Sequence, residues 1–156
     1  MKKFILFLFI ASLFLTCNKK TDEILSTTVS IILLDQQGQN LLSTTSNLKE
    51  NDIEVFVVRN GETAPFKPTN GNPRGFSIRK TIDNKEFLNF DGFDYLARKA
   101  EYTTTLIKLG SYGTDTIKCQ IVSSGNHTRV TKVWYNGILK FDDSVNKIAP
   151  LFTVIK

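Results

Sequence analysis

From residue 27 on, the chain consists of short runs rich in Val, Ile, Thr and aromatic residues, and one of them alternates apolar and polar positions with a period of two, the pattern of a half-buried β-strand. In residues 114–122, Ile117, Cys119 and Ile121 fall on one face, with polar residues between them. Residues 29–34 form a nearly continuous apolar run, which predicts a buried strand. Gly, Asn, Asp and Pro clusters separate such runs, so we predict an all-β fold: one antiparallel, immunoglobulin-like β-sandwich of about seven to nine strands.

Local turn chemistry predicts where the strands reverse. The Asn-Gly dipeptides at 60–61 and 136–137 suit the positive φ angles of two-residue type I′ hairpins. Asp35 and Gly38 are spaced as the first and fourth residues of a type I turn, and residues 110–113 predict a further hairpin tip. Residues 150–155 predict a last strand.

The hairpin at 136–137 also predicts a core face. Pairing outward from Tyr135 and Ile138 sets Trp134 opposite Leu139 and Lys132 opposite Phe141. Strict alternation then gives one inward-pointing apolar face, made of Val130, Trp134, Leu139 and Phe141.

Two stretches interrupt the strand pattern. Prolines and glycines between residues 65 and 75 indicate a loop, and residues 94–101 fit either a short helix or a strand and loop. Most aromatic rings are expected inside the core. Tyr95 and Tyr112 are the least core-like, so they are the candidate contacts for a ligand or partner.

The pattern of the N-terminal residues predicts an export signal. A basic start, Lys2 and Lys3, precedes an apolar run over residues 4–15. As a helix this run spans roughly 18 Å, short of the ~30 Å hydrocarbon core of a bilayer. Residues 1–16 are therefore predicted to be a signal peptide, although they hold no good A-x-A cleavage site.

The residues around Cys17 explain that missing site. Residues 14–17, Phe-Leu-Thr-Cys, resemble the lipobox of bacterial lipoproteins, in which the cysteine sulfur receives a diacylglyceryl group. Leu15 and Thr16 stand where small residues are usual, a looser form similar to that of Bacteroidetes lipoproteins. The alternative is an ordinary thiol at the end of a signal or anchor helix. Two or three acyl chains on Cys17 would make membrane attachment lasting.

Residues 17–26 are predicted to be the lipidated cysteine and its tether, and residues 27–156 the sandwich. The polar segment 18–26 behaves as a coil of roughly 15–20 Å. In many Gram-negative lipoproteins an aspartate after the cysteine signals inner-membrane retention, and here the residue is Asn18. The expected location is the cell envelope, at the outer membrane, with the periplasmic or external side left open.

Charge and cysteine content exclude some partners. The formal net charge is +5, or +3 without Lys2 and Lys3, and no basic run with interleaved aromatics points to nucleic acid. Cys17 and Cys119 are the two cysteines, so lipid on the first rules out an intrachain disulfide. Cys119 lies among core positions and is predicted to be an inert buried thiol.

Candidate catalytic chemistry is sparse. The single histidine, His127, falls in a predicted loop and lacks the partners of a zinc site or a serine triad. No Walker or G-x-G-x-x-G loop is present. Acids between Asp83 and Asp143 leave carboxylate catalysis open, but their turn-like contexts favour capping and solvation. We therefore expect no catalytic residues, no metal and no cofactor.

The folded part has further resemblances to exported bacterial proteins. Asp115-Thr116-Ile117 and Asp143-Ser144-Val145 resemble the tripeptide O-glycosylated in exported Bacteroidetes proteins, which makes Thr116 and Ser144 candidate sites. With "LLDQQGQNLL", "TDTIKC" and "VWYNG", the mature part resembles small lipoproteins of Flavobacteria and Bacteroides, a family with no assigned activity. The expected function is a non-enzymatic binding or accessory module for an envelope protein or glycan. A structural component that recognises another envelope protein, or a small carboxylate hydrolase, are the alternatives.

Overall fold

The structure, a computed structural model, describes residues 24–67, 74–90, 101–125, 127–146 and 148–156. The described residues form eleven strands: β1 (Ile24–Ser26), β2 (Val29–Leu34), β3 (Ile53–Arg59), β4 (Glu62–Pro65), β5 (Ser77–Lys80), β6 (Glu86–Phe90), β7 (Tyr102–Leu109), β8 (Thr114–Ser124), β9 (His127–Tyr135), β10 (Ile138–Asp142) and β11 (Leu151–Ile155). Short 3₁₀ turns occupy Glu50–Asp52 and Gly110–Tyr112. The predicted all-β sandwich is confirmed, although its eleven strands exceed the predicted seven to nine.

The strands form two sheets. The seven-stranded sheet has the order β1-β9-β8-β7-β3-β4, and β10 also pairs with β9. The four-stranded sheet has the order β11-β2-β6-β5. Pairing is antiparallel except at two sheet edges, where β1 runs parallel to β9 and β11 runs parallel to β2. The sequence prediction contained neither parallel pair.

The inner faces of the sheets bury one apolar core. Its largest fully buried side chains come from both sheets: Val29, Ile31, Leu33, Leu88, Ile107, Leu109, Ile117, Cys119 and Val133. The predicted inward placement of Ile117, Cys119 and Ile121 is confirmed, since all three are buried in this cluster.

The predicted turns are confirmed by their backbone geometry. Asn136 and Gly137 have φ angles of 48° and 81°, as a type I′ hairpin requires, and residues 60–61 are similar. Gly38 N–H donates to the Asp35 carbonyl at 3.0 Å. The Asp35 carboxylate accepts from the N–H groups of residues 37 and 39.

The predicted inward position of Trp134 and Leu139 is wrong, and two β-bulges explain why. The β8–β9 register shifts so that Gln120 pairs with Lys132 while Ile121 pairs with Val130, which leaves one extra residue on β9. The β9–β10 register shifts in the same way between Leu139 and Phe141. Each extra residue exchanges the two faces of its strand.

Val130 and Phe141 therefore stay buried, as predicted, and Val133 and Tyr135 join them. Trp134 is half-buried on the outer face, where Leu139 is 47% exposed.

The N-terminal boundary also differs from the prediction. Residues 24–26, the end of the predicted tether, form β1 and pair with His127–Arg129 of β9. The signal peptide, Cys17, Tyr95 and residues 94–100 of the ambiguous segment lie outside the described residues. Over the ranges that are described, no helix is long and apolar enough to cross a membrane.

Candidate functional site

The bulge in β9 brings two aromatic rings together on the outer face of the seven-stranded sheet. Tyr102 of β7 and Trp134 of β9 have ring centroids 6.3 Å apart at an interplanar angle of 48°. Tyr102 is 43% exposed, and Trp134 is half-buried. Because β8 separates the two strands, the rings lean toward each other across it.

The ammonium of Lys118, on β8, lies over both rings. Its Nζ is 4.6 Å from the Tyr102 ring centroid and 5.9 Å from that of Trp134. Both distances fit cation–π attraction, which contributes about 0.5–1 kcal/mol at exposed sites. The two contacts hold the ammonium over the rings while leaving it open to solvent.

Polar groups border the rings. Gln120 Nε2 donates to Glu101 Oε1 at 3.2 Å and to Tyr102 Oη at 3.3 Å. Backbone pairing aligns Thr104, Lys118, Trp134 and Leu139 in one row across four strands. We call the surface formed by Tyr102, Lys118, Gln120, Trp134 and Leu139 the outer aromatic face.

A second polar cluster lies inside the domain, at the start of β8 next to the Asn136-Gly137 hairpin. Asp115 is 3% exposed, and its carboxylate accepts three hydrogen bonds. Tyr135 Oη and Lys156 Nζ donate to Oδ2 at 2.6 and 2.5 Å, and Asn136 Nδ2 donates to Oδ1 at 2.8 Å. Lys156 directly follows β11, so this ion pair joins the two sheets. We call these four residues the Asp115 network.

The network keeps Asp115 charged. Burial by itself would raise the pKa of this carboxyl, but the hydrogen bonds from Lys156, Tyr135 and Asn136 outweigh burial and lower the pKa. Burial and the neighbouring carboxylate raise the pKa of the Tyr135 hydroxyl, which therefore stays protonated as a donor. The cluster is a satisfied ion-pair network.

An open pocket of about 550 Å³ lies over the Asp115 network. Tyr112, one of the two predicted contact residues, lines it together with Ile138 and Lys140. Ile138 is 62% exposed at the pocket wall, whereas Tyr112 is half-buried and packs against the core. The structure thus places Tyr112 at a cavity but not on the outer aromatic face.

The two predicted glycosylation sites lie in different settings. Thr116 is half-buried within β8, where its N–H donates to Asn136 Oδ1 at 2.8 Å and its neighbour Asp115 is buried. Ser144 is exposed in the turn after β10, where its Oγ donates to Asp142 Oδ1 at 2.6 Å. Ser144 is thus the more exposed of the two residues.

His127 and Cys119, the remaining candidate residues, lie in different environments. His127 is exposed at the start of β9, and Cys119 is fully buried, with the pKa of its thiol raised by burial. Among the described residues, no three His, Cys, Asp or Glu side chains cluster closely enough to hold a metal ion.

The sequence prediction missed Tyr102, Lys118 and Trp134 as a group. One signal was available: Val130 and Val133 are both apolar but three positions apart, so they cannot share a face of a regular strand. That odd spacing indicates a bulge between them and an outward Trp134.

Comparisons with known proteins give no relative for this chain: no family model, curated protein or solved structure matches it.

Proposed function

We propose that the protein is a non-enzymatic, lipid-anchored module of the cell envelope that binds a glycan through its outer aromatic face. The observation that carries this proposal is the contact of the exposed Tyr102 ring with the half-buried Trp134 ring, with the Lys118 ammonium over both. Cys17 would carry the lipid, and the outer membrane is the proposed location.

The chemistry of the outer aromatic face suits a saccharide. The apolar C–H face of a sugar ring packs on an aromatic ring, while its hydroxyls need donors and acceptors around the stacking site. Tyr102 and Trp134 offer the rings. Gln120 and Thr104 offer polar groups on the same side of the sheet.

The proposed anchor would hold this surface near the membrane but clear of it. Ile24 is seven positions after Cys17, so the connection reaches at most about 25 Å. β1 runs parallel to β9 and starts beside His127, which makes this end of β9 the anchor end. Trp134, near the other end of β9, is then roughly 20 Å farther along the strand.

The state of Asp115 supports a non-enzymatic function. A general acid needs a raised pKa and an accessible proton, whereas hydrogen bonds lower the pKa of this buried carboxyl. Its oxygens already accept from Tyr135, Asn136 and Lys156. The network therefore serves to join the sheets.

The anchor and the binding surface need separate tests. Metabolic labelling with a fatty acid, followed by membrane fractionation, should detect label and membrane attachment in the wild type and neither in Cys17→Ala. A labelled Cys17→Ala, or an unlabelled wild type, would contradict the anchor.

For the binding surface, purified full-length protein is applied to an array of bacterial and plant glycans. Tyr102→Ala and Trp134→Ala should each lose the signal. Ile82→Ala, which truncates a fully exposed side chain between β5 and β6 on the other sheet, should keep it. Absence of any glycan signal from the wild type would refute the proposed ligand.

The outer edge of β11 favours a second candidate, recognition of another envelope protein. β11 is the last strand of its sheet, and Leu151 and Ile155 on it are 49% and 67% exposed. Strand addition at such an edge is a common mode of peptide recognition. Photo-crosslinking in intact cells from position 153 would capture such a partner, whereas crosslinks from position 102 alone would count against it.

A further inference from the structure

We propose that the glycan is acidic, and that Lys118 binds a carboxylate of a uronate-bearing saccharide beside the rings of Tyr102 and Trp134. This inference rests on the proposed function and adds the chemical class of the ligand. It starts from the charges on the outer face of the seven-stranded sheet.

Three other cations on that face each have a carboxylate partner. Lys108 pairs with Glu54 at 2.6 Å, and Lys132 pairs with Asp142 at 3.1 Å. Arg129 pairs with Asp143 at 3.0 Å. Lys118 differs, because within the described ranges its ammonium contacts two aromatic rings and no carboxylate.

An ammonium over aromatic rings keeps most of its charge available. Cation–π contacts orient Lys118 without neutralising it, and its side chain is exposed. A ligand carboxylate would complete a charge-assisted hydrogen bond there, which is stronger than a hydrogen bond between neutral groups. Charge complementarity therefore favours an anionic ligand over a neutral one.

The spacing of the strands allows the carboxylate of a stacked sugar to reach Lys118. β7 and β9 lie on either side of β8, so their backbones are about 10 Å apart with Lys118 midway. The carboxylate of a uronate projects from the edge of the sugar ring. A sugar stacked on either Tyr102 or Trp134 can then direct its carboxylate toward the same ammonium.

The test uses the full-length protein in detergent, with oligogalacturonate as the acidic probe and its methyl ester as the neutral probe. The two probes share one backbone and differ in charge. Trp134 is the single tryptophan, so its fluorescence reports binding at this face directly. The wild type should bind the acid at least roughly tenfold more tightly than the ester, as a charge-assisted contact predicts.

Lys118→Gln should abolish this preference, and Lys118→Arg should restore it. Lys108→Gln is the matched control, since it removes the same charge from the same face but leaves the ring contacts intact. An equal loss in Lys108→Gln would overturn the inference, because a general electrostatic attraction would then explain the preference. Melting curves of all variants confirm that each is folded.

The two proposals fail in different ways. Equal binding of the acid and the ester by the wild type would refute the acidic ligand but leave glycan binding standing. Binding of neither probe, together with an empty glycan array, would refute the proposed function itself. Binding of the acid that survives Trp134→Ala, followed by tyrosine fluorescence or calorimetry, would place the ligand elsewhere and overturn the inference.

Discussion

Replacing Asp115 with asparagine keeps the shape of a buried side chain and removes its charge. Lys156, whose side chain is 13% exposed, then holds a buried ammonium without its counter-ion. The amide also creates a donor conflict. If the new oxygen accepts from Tyr135 and Lys156, the new NH₂ group faces Asn136 Nδ2, itself a donor. Asn136 cannot simply rotate its amide, because its oxygen accepts from Thr116 N–H.

The expected cost follows from these losses. Breaking a buried ion pair by removing one partner costs about 3–5 kcal/mol. Lys156 follows the edge strand β11 and can move partly toward water, so we expect the lower end, about 3 kcal/mol. The control is Glu54→Gln, which breaks the Lys108 pair where both side chains are about half exposed. An exposed pair of this kind contributes about 0.2–1 kcal/mol.

Urea unfolding of the full-length protein, followed by Trp134 fluorescence, measures both variants. Asp115→Asn should lower the free energy of unfolding by about 3 kcal/mol and Glu54→Gln by less than about 1 kcal/mol. Equal changes in the two variants would refute the view that the Asp115 network stabilises the sandwich as a buried ion pair.

Three other predictions concern the network, a turn and the thiols. The pKa of Asp115 is lowered on folding, so its contribution to stability is complete above the unfolded pKa of about 3.9 and is lost as the pH falls through the lower, folded pKa. Urea midpoints between pH 7 and 3 should thus fall less steeply in Asp115→Asn than in the wild type, and parallel curves would argue against this linkage. Gly137→Ala should destabilise the hairpin by about 1 kcal/mol, because Gly137 has φ 81° and a Cβ there meets no atom, so that the cost is one of backbone strain alone. Ser111→Ala, at an exposed site, should leave stability unchanged, and a Gly137→Ala variant as stable as the wild type would contradict the type I′ assignment. Thiol titration of mature protein purified from membranes should find no reactive thiol when native, since Cys119 is fully buried, and one per chain in urea; two would mean that Cys17 carries no lipid.

The sequence predicted the local turns and the inward face of β8 correctly. The turns at 60–61, 136–137 and 35–38 depend on residues next to one another, and all three have the expected geometry. The inward face of β8 follows from strict alternation over residues 117–121, and that face is buried.

Features that depend on pairing between distant residues were not visible. The outer position of Trp134 depends on which residue of β8 opposes each residue of β9, and one extra residue exchanges the faces. Asp115 and Lys156 are 41 positions apart, and no local sequence pattern predicts their ion pair. The parallel pairing of β1 with β9 is equally non-local, which is why residues 24–26 were assigned to the tether.

If the proposed lipid anchor holds the N-terminus, the parallel pairing of β1 with β9 has a mechanical consequence. A pull on the tether acts along β1, while the rest of the domain resists through β9, so the three residue pairs from Ile24 to Ser26 are strained together in shear. If β1 were antiparallel to β9, its N-terminus would lie at the other end of β9. The same pull would then separate the residue pairs one at a time. Forced detachment of β1 should therefore be an abrupt event with a single rupture force, and the sheet beyond β9 would keep its fold.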